Sequence, residues 1–188
     1  MFQLLSRART GLGAVGTKVE ALRSCRRGAA AIEFALFGGL LSFAALNVID
    51  ISRYITQKMQ VANAAQMAAQ AAWKACDLSH LPATTKCDGL AAAVTNAVQS
   101  TSLGISVTLQ GGSPSEGYYC VNASNALQYV SDVSASPADC SAAGMPNLQP
   151  GDYIRVQVTF AYAPLFPGVT VAGTFATPIA KTAMMRLG

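Results

Sequence analysis

From residue 29 to residue 51 the chain is almost continuously apolar, with Glu33, Asn47 and Asp50 as its strongly polar positions and Ser42 as a mild interruption. At about 1.5 Å of helical rise per residue this stretch reaches roughly 35 Å, enough to cross a hydrocarbon core of about 30 Å with some tilt. The pattern predicts one membrane-spanning helix; the competing reading, a buried helix of a soluble protein, lacks the polar face it would need. Neither Gly nor Pro occurs between Gly39 and Pro82, and Ala, Gln and Met dominate the later part. The helix is therefore predicted to continue over residues 52–76 and to stop near Cys76. Ile51, Ile55, Met59, Ala62, Ala69 and Trp73 recur at intervals of three, four and seven, broken at Gln66. Such a stripe is expected to pack against its own domain, with a groove for a partner helix as the alternative. Gly38 and Gly39, inside the apolar stretch, mark either a weak point of the helix or a close-packing surface.

Past Pro82 the period changes. A short helix is predicted over residues 89–99 with Asp88 as its N-cap and Leu90, Val94, Ala97 and Val98 on one side. Leu103, Ile105, Val107 and Leu109 alternate with small or polar neighbours, and Ile154, Val156, Val158, Phe160 and Tyr162 alternate with Tyr153, Arg155, Gln157 and Thr159. Both patterns predict half-buried antiparallel strands. Weaker strand signals cover residues 118–122, 127–133, 169–175 and 179–187, with Gly and Pro supplying the breaks. The predicted fold class is α+β: a long N-terminal helix, transmembrane and then amphipathic, leaning on a small antiparallel β-sheet domain.

Charge changes this picture by its placement. Residues 1–28 hold Arg7, Arg9, Lys18, Arg23, Arg26 and Arg27 against Glu20, so the chain's net positive charge lies ahead of the apolar stretch and residues 29–188 are close to neutral. No basic face remains for a phosphate backbone, so nucleic acid is not expected as a partner. A basic flank before an apolar run is held on the cytoplasmic side, which predicts an inner-membrane, single-pass topology with the rest of the chain extracytoplasmic. The composition, 52% hydrophobic and 12% charged, agrees with a chain that sequesters an apolar segment.

The most informative stretch is Arg26-Arg27-Gly28-Ala29-Ala30-Ala31-Ile32-Glu33-Phe34. A secretory cut after Ala44 fits a small-x-small pattern but leaves Glu33 as a charge within the apolar region of a signal. The stretch instead resembles the cleavage region of Tad (type IVc) prepilins and of TadE-like minor pilins, or pseudopilins, of the Tad/Flp pilus system. There a glycine precedes the cut, and a glutamate followed by an aromatic residue takes mature positions five and six. The resemblance implies processing by prepilin peptidase between Gly28 and Ala29, and an assembly role for Glu33 and Phe34. The major pilins usually carry Tyr where this chain has Phe34. The residues agree physically: Gly28 offers no side chain to a membrane-embedded protease, and the cut would place an α-ammonium at Ala29, four residues and one helix face from Glu33. A carboxylate in apolar surroundings is costly without such a partner. The alternative for Glu33 is snorkelling to the cytoplasmic headgroups.

With Cys25 on the leader, four cysteines remain, Cys76, Cys87, Cys120 and Cys140, which allow three pairings. Pairing of sequence neighbours, Cys76 with Cys87 and Cys120 with Cys140, is the simplest and fits an oxidising periplasm. A metal site is the rival, disfavoured by the absence of any CxxC pair. His80 is the single histidine, and no nucleophile or phosphate-loop motif appears. No catalytic residue, cofactor or metal is therefore predicted. The apolar tip at Leu165-Phe166 is read either as a contact for a partner or membrane or as packing under the sheet. The functional expectation is a minor structural subunit or assembly factor of a Tad-type pilus, supporting assembly and surface adhesion. Its expected partners are other pilins and pseudopilins, prepilin peptidase, the assembly platform and the inner membrane. The alternative is an uncleaved, membrane-anchored periplasmic enzyme or binding module.

Overall fold

A computed structural model describes residues 26–76, 78–112 and 114–188. Most of the leader expectation, including Cys25, lies outside the described residues. The chain divides into two units, Met1–Val48 and Ile49–Gly188.

Helix α1 runs over Arg26–Ala75, as an uninterrupted run without Gly or Pro after Gly39 favours. Over residues 28–48 it is mostly exposed and mostly apolar, and it passes through Gly38 and Gly39 without a break. Among the described residues it is the one helix long and apolar enough to cross a membrane, with a window of mean hydropathy 1.9.

In the second unit the rest of α1 buries Val61, Ala64, Ala65, Ala68, Ala69 and Ala72 in one cluster with Ile154, Val156 and Val158 of the sheet. This corrects the predicted stripe. Ile55, Met59 and Trp73 are exposed, and the buried face is rotated toward Asp50, Tyr54, Val61 and the alanines. The physical reason is size. Alanines let the sheet approach the helix backbone closely, so the small residues mark the contact and the large ones face outward. Ala68→Leu is therefore expected to destabilise the fold by about 1–3 kcal/mol through overpacking. Gln66→Leu, at an exposed position, should shift stability by less than about 0.5 kcal/mol. Thermal denaturation followed by circular dichroism compares the two.

A short helix, α2 (Ala83–Lys86), precedes α3 (Leu90–Gln99), whose Leu90, Val94 and Val98 are buried. The N-cap of α3 is Gly89 at φ +87°, with no side-chain cap hydrogen bond, which corrects the expectation of Asp88 as the cap. A left-handed entry of this kind favours glycine, and the acid stands one residue too early.

Five antiparallel strands complete the chain: β1 (Val107–Leu109), β2 (Ser115–Val121), β3 (Leu127–Ser131), β4 (Gly151–Phe160) and β5 (Ile179–Arg186). β4 is central. One edge pairs with β5 along Tyr153 to Phe160, and the other is shared by β2 and β1. Asp152, Ile154, Val156 and Val158 all point to the buried face. Two predicted strands are corrected by this arrangement. Residues 103–106 are not extended but end in a 3-10 turn, Gly104–Ser106, because β1 starts only where Phe160 offers a partner. Residues 169–175 form a 3-10 turn, Val171–Thr174, because both edges of β4 are already filled. The fold is α+β, a long apolar N-terminal helix with a small antiparallel sheet.

Candidate functional site

In the first unit the motif residues lie near the start of α1. Gly28, Ala29, Glu33 and Phe34 are all exposed, Phe34 with 79% of its surface open. Ala29 and Glu33 stand four positions apart on the helix and so share a face. A Cβ added at Gly28 would meet nothing within 4 Å. Packing among the described residues therefore makes no demand for glycine there.

In the second unit the structure assembles a site that the sequence pattern did not announce. Asp50 has no exposed surface. Its Oδ1 accepts the backbone N–H of Leu165 at 2.9 Å, and its Oδ2 accepts the N–H of Phe166 at 3.2 Å and the Thr170 hydroxyl at 2.6 Å. The Tyr162 hydroxyl donates to the Asp50 carbonyl at 3.2 Å. One helix residue thus holds four groups from the segment after β4, and its buried charge is met by hydrogen bonds to both oxygens, as such burial requires. One turn along α1, Tyr54 packs on Tyr162 and Phe175 at centroid distances of 5.0 and 4.7 Å. Leu165-Phe166, read from sequence as a tip or a packing element, divides the two roles. Its backbone is bonded to Asp50 while the Leu165 side chain is half exposed. The signal that could have found Asp50 is its phase: it stands four residues before Tyr54, eleven before Val61 and eighteen before Ala68, on the buried alanine face.

The cysteines pair as Cys76–Cys87 and Cys120–Cys140, with Cα–Cα distances of 5.8 and 5.7 Å. The first ties the end of α1 to the segment after α2, and the second ties β2 to the turn before β4. His80 ends an exposed 3-10 turn, Leu78–His80, beside Ser79. Among the described residues no group of three or more His, Cys, Asp and Glu side chains is placed to hold a metal ion.

A carboxylate pair lies on the sheet. Glu116 accepts the N–H groups of Ala83 and Thr84 at 2.8 and 2.7 Å and the Thr84 hydroxyl at 2.6 Å, fastening the start of α2 to β2. Asp152, on the neighbouring strand, is buried with an Oδ1 that has no hydrogen-bond partner. Burial first, then the charge of Glu116 and a hydrogen bond to it, push Asp152 up to about 6. A raised acid pKa favours the folded state while the group is protonated. Its contribution is fully present below the unfolded value near 3.8 and is lost as pH rises through about 6. Asp152→Asn is expected to flatten stability between those values and to raise it at neutral pH by about 1 kcal/mol, since water screens part of the repulsion. Urea midpoints across that pH range provide the check.

The family model of TadE-like proteins matches residues 28–70. This segment is TadE-like. It covers well under half of the chain, begins at Gly28, and contains Glu33, Phe34, Asp50 and most of the alanine face. The TadE-like family is associated with the Tad pilus and is structural in character. No curated protein and no solved structure matches the chain. Tyr162, Leu165, Phe166 and Thr170 lie outside the TadE-like segment, so the Asp50 contacts join it to a part of the chain that the family model does not cover.

Proposed function

We propose that this protein is a minor structural subunit or assembly factor of a Tad-type pilus, processed by prepilin peptidase between Gly28 and Ala29 and supporting pilus assembly and surface adhesion. In this reading residues 1–28 are a cytoplasmic leader, 29–51 span the inner membrane, 52–76 continue the helix outside, and 77–188 form the extracytoplasmic domain. Its partners are other pilins and pseudopilins, the assembly platform and the peptidase. The observation that carries the reading is the TadE-like segment, which starts at Gly28 and takes in Glu33, Phe34 and the apolar stretch.

The chemistry supports it. Drawing the junction out of α1 into a protease requires local unwinding, and glycine, a poor helix former, keeps the cost of that unwinding low. After the cut, Glu33 would meet the new α-ammonium and the positive end of the helix together. Neutralisation in this way, within one chain or between neighbours, removes the penalty of an isolated carboxylate among apolar side chains.

N-terminal sequencing of the mature protein from piliated cells tests the proposal. Ala29 as first residue supports it, Met1 favours an uncleaved anchor, and Ala45 a secreted product. Gly28→Val should abolish processing while leaving thermal stability unchanged, because no packing contact among the described residues depends on Gly28. Full cleavage of that variant would contradict the assigned junction.

A further inference from the structure

The hydrogen bonds of Asp50 fix the depth of a loop. The apolar stretch ends at residue 51, one position beyond Asp50, and the N–H groups of Leu165 and Phe166 are bonded to the Asp50 carboxylate. If residues 29–51 cross a bilayer, the segment carrying Leu165 is held at the level where the helix leaves the hydrocarbon. We propose that residues 164–170 form a membrane-surface loop, with Leu165 and Val169 seated at the boundary between headgroups and acyl chains. The domain is then held to the bilayer by its span and by this loop. The inference rests on the membrane-anchored reading of residues 29–51.

Three further observations favour lipid as the occupant. Leu165 and Val169 leave 51% and 48% of their surface uncovered, and Ile49, on the same helix turn as Asp50, leaves 48%. These apolar side chains are continuous in sequence or by hydrogen bond with the span itself. Next, residues 156–180 contain no Asp, Glu, Lys or Arg. A loop facing bulk water carries no penalty for charge, whereas a loop in contact with hydrocarbon does. Finally, the Asp50 bonds form a latch with a cation beside it: Arg53 is the first cation after the apolar stretch, within reach of headgroup phosphates on its long stem. Pro164, Pro167 and Gly168 at φ +76° shape the turn, and the Phe166 carbonyl accepts the N–H groups of Val169 and Thr170. The loop's own donors are thus largely satisfied before it meets lipid, as a low-dielectric surface requires.

Tryptophan depth measurements on the full chain in phosphatidylcholine and phosphatidylglycerol vesicles test this. In a Trp73→Phe background, single tryptophans are placed by Leu165→Trp, Val169→Trp, Phe37→Trp within the span, and Ser134→Trp on an exposed turn away from the latch. Circular dichroism and intact disulfides confirm folding of each variant. The loop tryptophans are expected to emit to the blue of Ser134→Trp and to be quenched by lipids brominated near the headgroup end of the chain. Phe37→Trp should be quenched most by lipids brominated at the chain end. Quenching of Phe37→Trp, with the loop tryptophans open to aqueous iodide, would overturn the loop and leave the anchor standing. Blue-shifted loop tryptophans that ignore brominated lipid would mean that a protein surface covers them, which also overturns it. Absence of lipid quenching at Phe37→Trp would remove the span and the loop together.

Discussion

Replacing Asp50 by Ala is expected to detach the segment after β4 from the helix and to cause the largest loss of folded stability of any single substitution considered. Three donors, the N–H groups of Leu165 and Phe166 and the Thr170 hydroxyl, lose their acceptor together, and a donor left buried without a partner costs more than the hydrogen bond is worth. Thr170→Val removes one of the three and should cost about 1.5–3 kcal/mol, the range for a hydrogen bond to a charged group. Asp50→Ala should exceed it, and Asp50→Asn should fall between, because the amide oxygen still accepts while its nitrogen faces a donor. Combining Asp50→Ala with Thr170→Val should add little beyond Asp50→Ala alone, since both act on one network. Thermal unfolding of the full chain in detergent measures all four variants. Strict additivity would show that the contacts act independently, and a neutral Asp50→Ala would show that they contribute nothing.

Glu33→Ala is expected to lower incorporation into filaments severely while leaving leader removal nearly intact. The acid lies beyond the proposed cut, so recognition depends on Gly28 more than on Glu33. Insertion into the membrane should be unchanged or improved, because the substitution removes a charge from an apolar stretch. On the proposed pairing, the variant would lose the partner of the Ala29 ammonium, leaving that amine among apolar helices without a counter-charge. Fractionation of sheared pili and membranes in a strain carrying Glu33→Ala reads each step separately. A cleaved variant that accumulates in the membrane supports pairing. Normal recovery in sheared pili would defeat the pairing mechanism, and an uncleaved variant would make Glu33 a processing determinant.

The parts of the fold that depend on composition along a line are legible in the residues alone. The apolar stretch over residues 29–51, the absence of Gly and Pro from residue 40 to residue 81, and the alternation around Ile154, Val156 and Val158 each express a local period, and each became the expected element. The Gly28, Glu33 and Phe34 pattern is equally local, and the TadE-like match covers it. Which face of the helix is buried was not legible in that way. Hydrophobicity favours Ile55, Met59 and Trp73, but close approach to the sheet favours alanine, and only the presence of the sheet decides between the two criteria. The same holds for the strands expected over residues 103–106 and 169–175. Their side chains suit extended structure, yet an edge of β4 must be free to receive them, and β1, β2 and β5 already occupy both edges. Asp50 is the clearest case. In sequence it is a polar residue near the end of an apolar run, while its acceptor role requires amides more than a hundred positions away. Hydrogen bonds between distant segments leave no period to read, so tertiary structure alone decided that this carboxylate fastens the helix to the segment after β4.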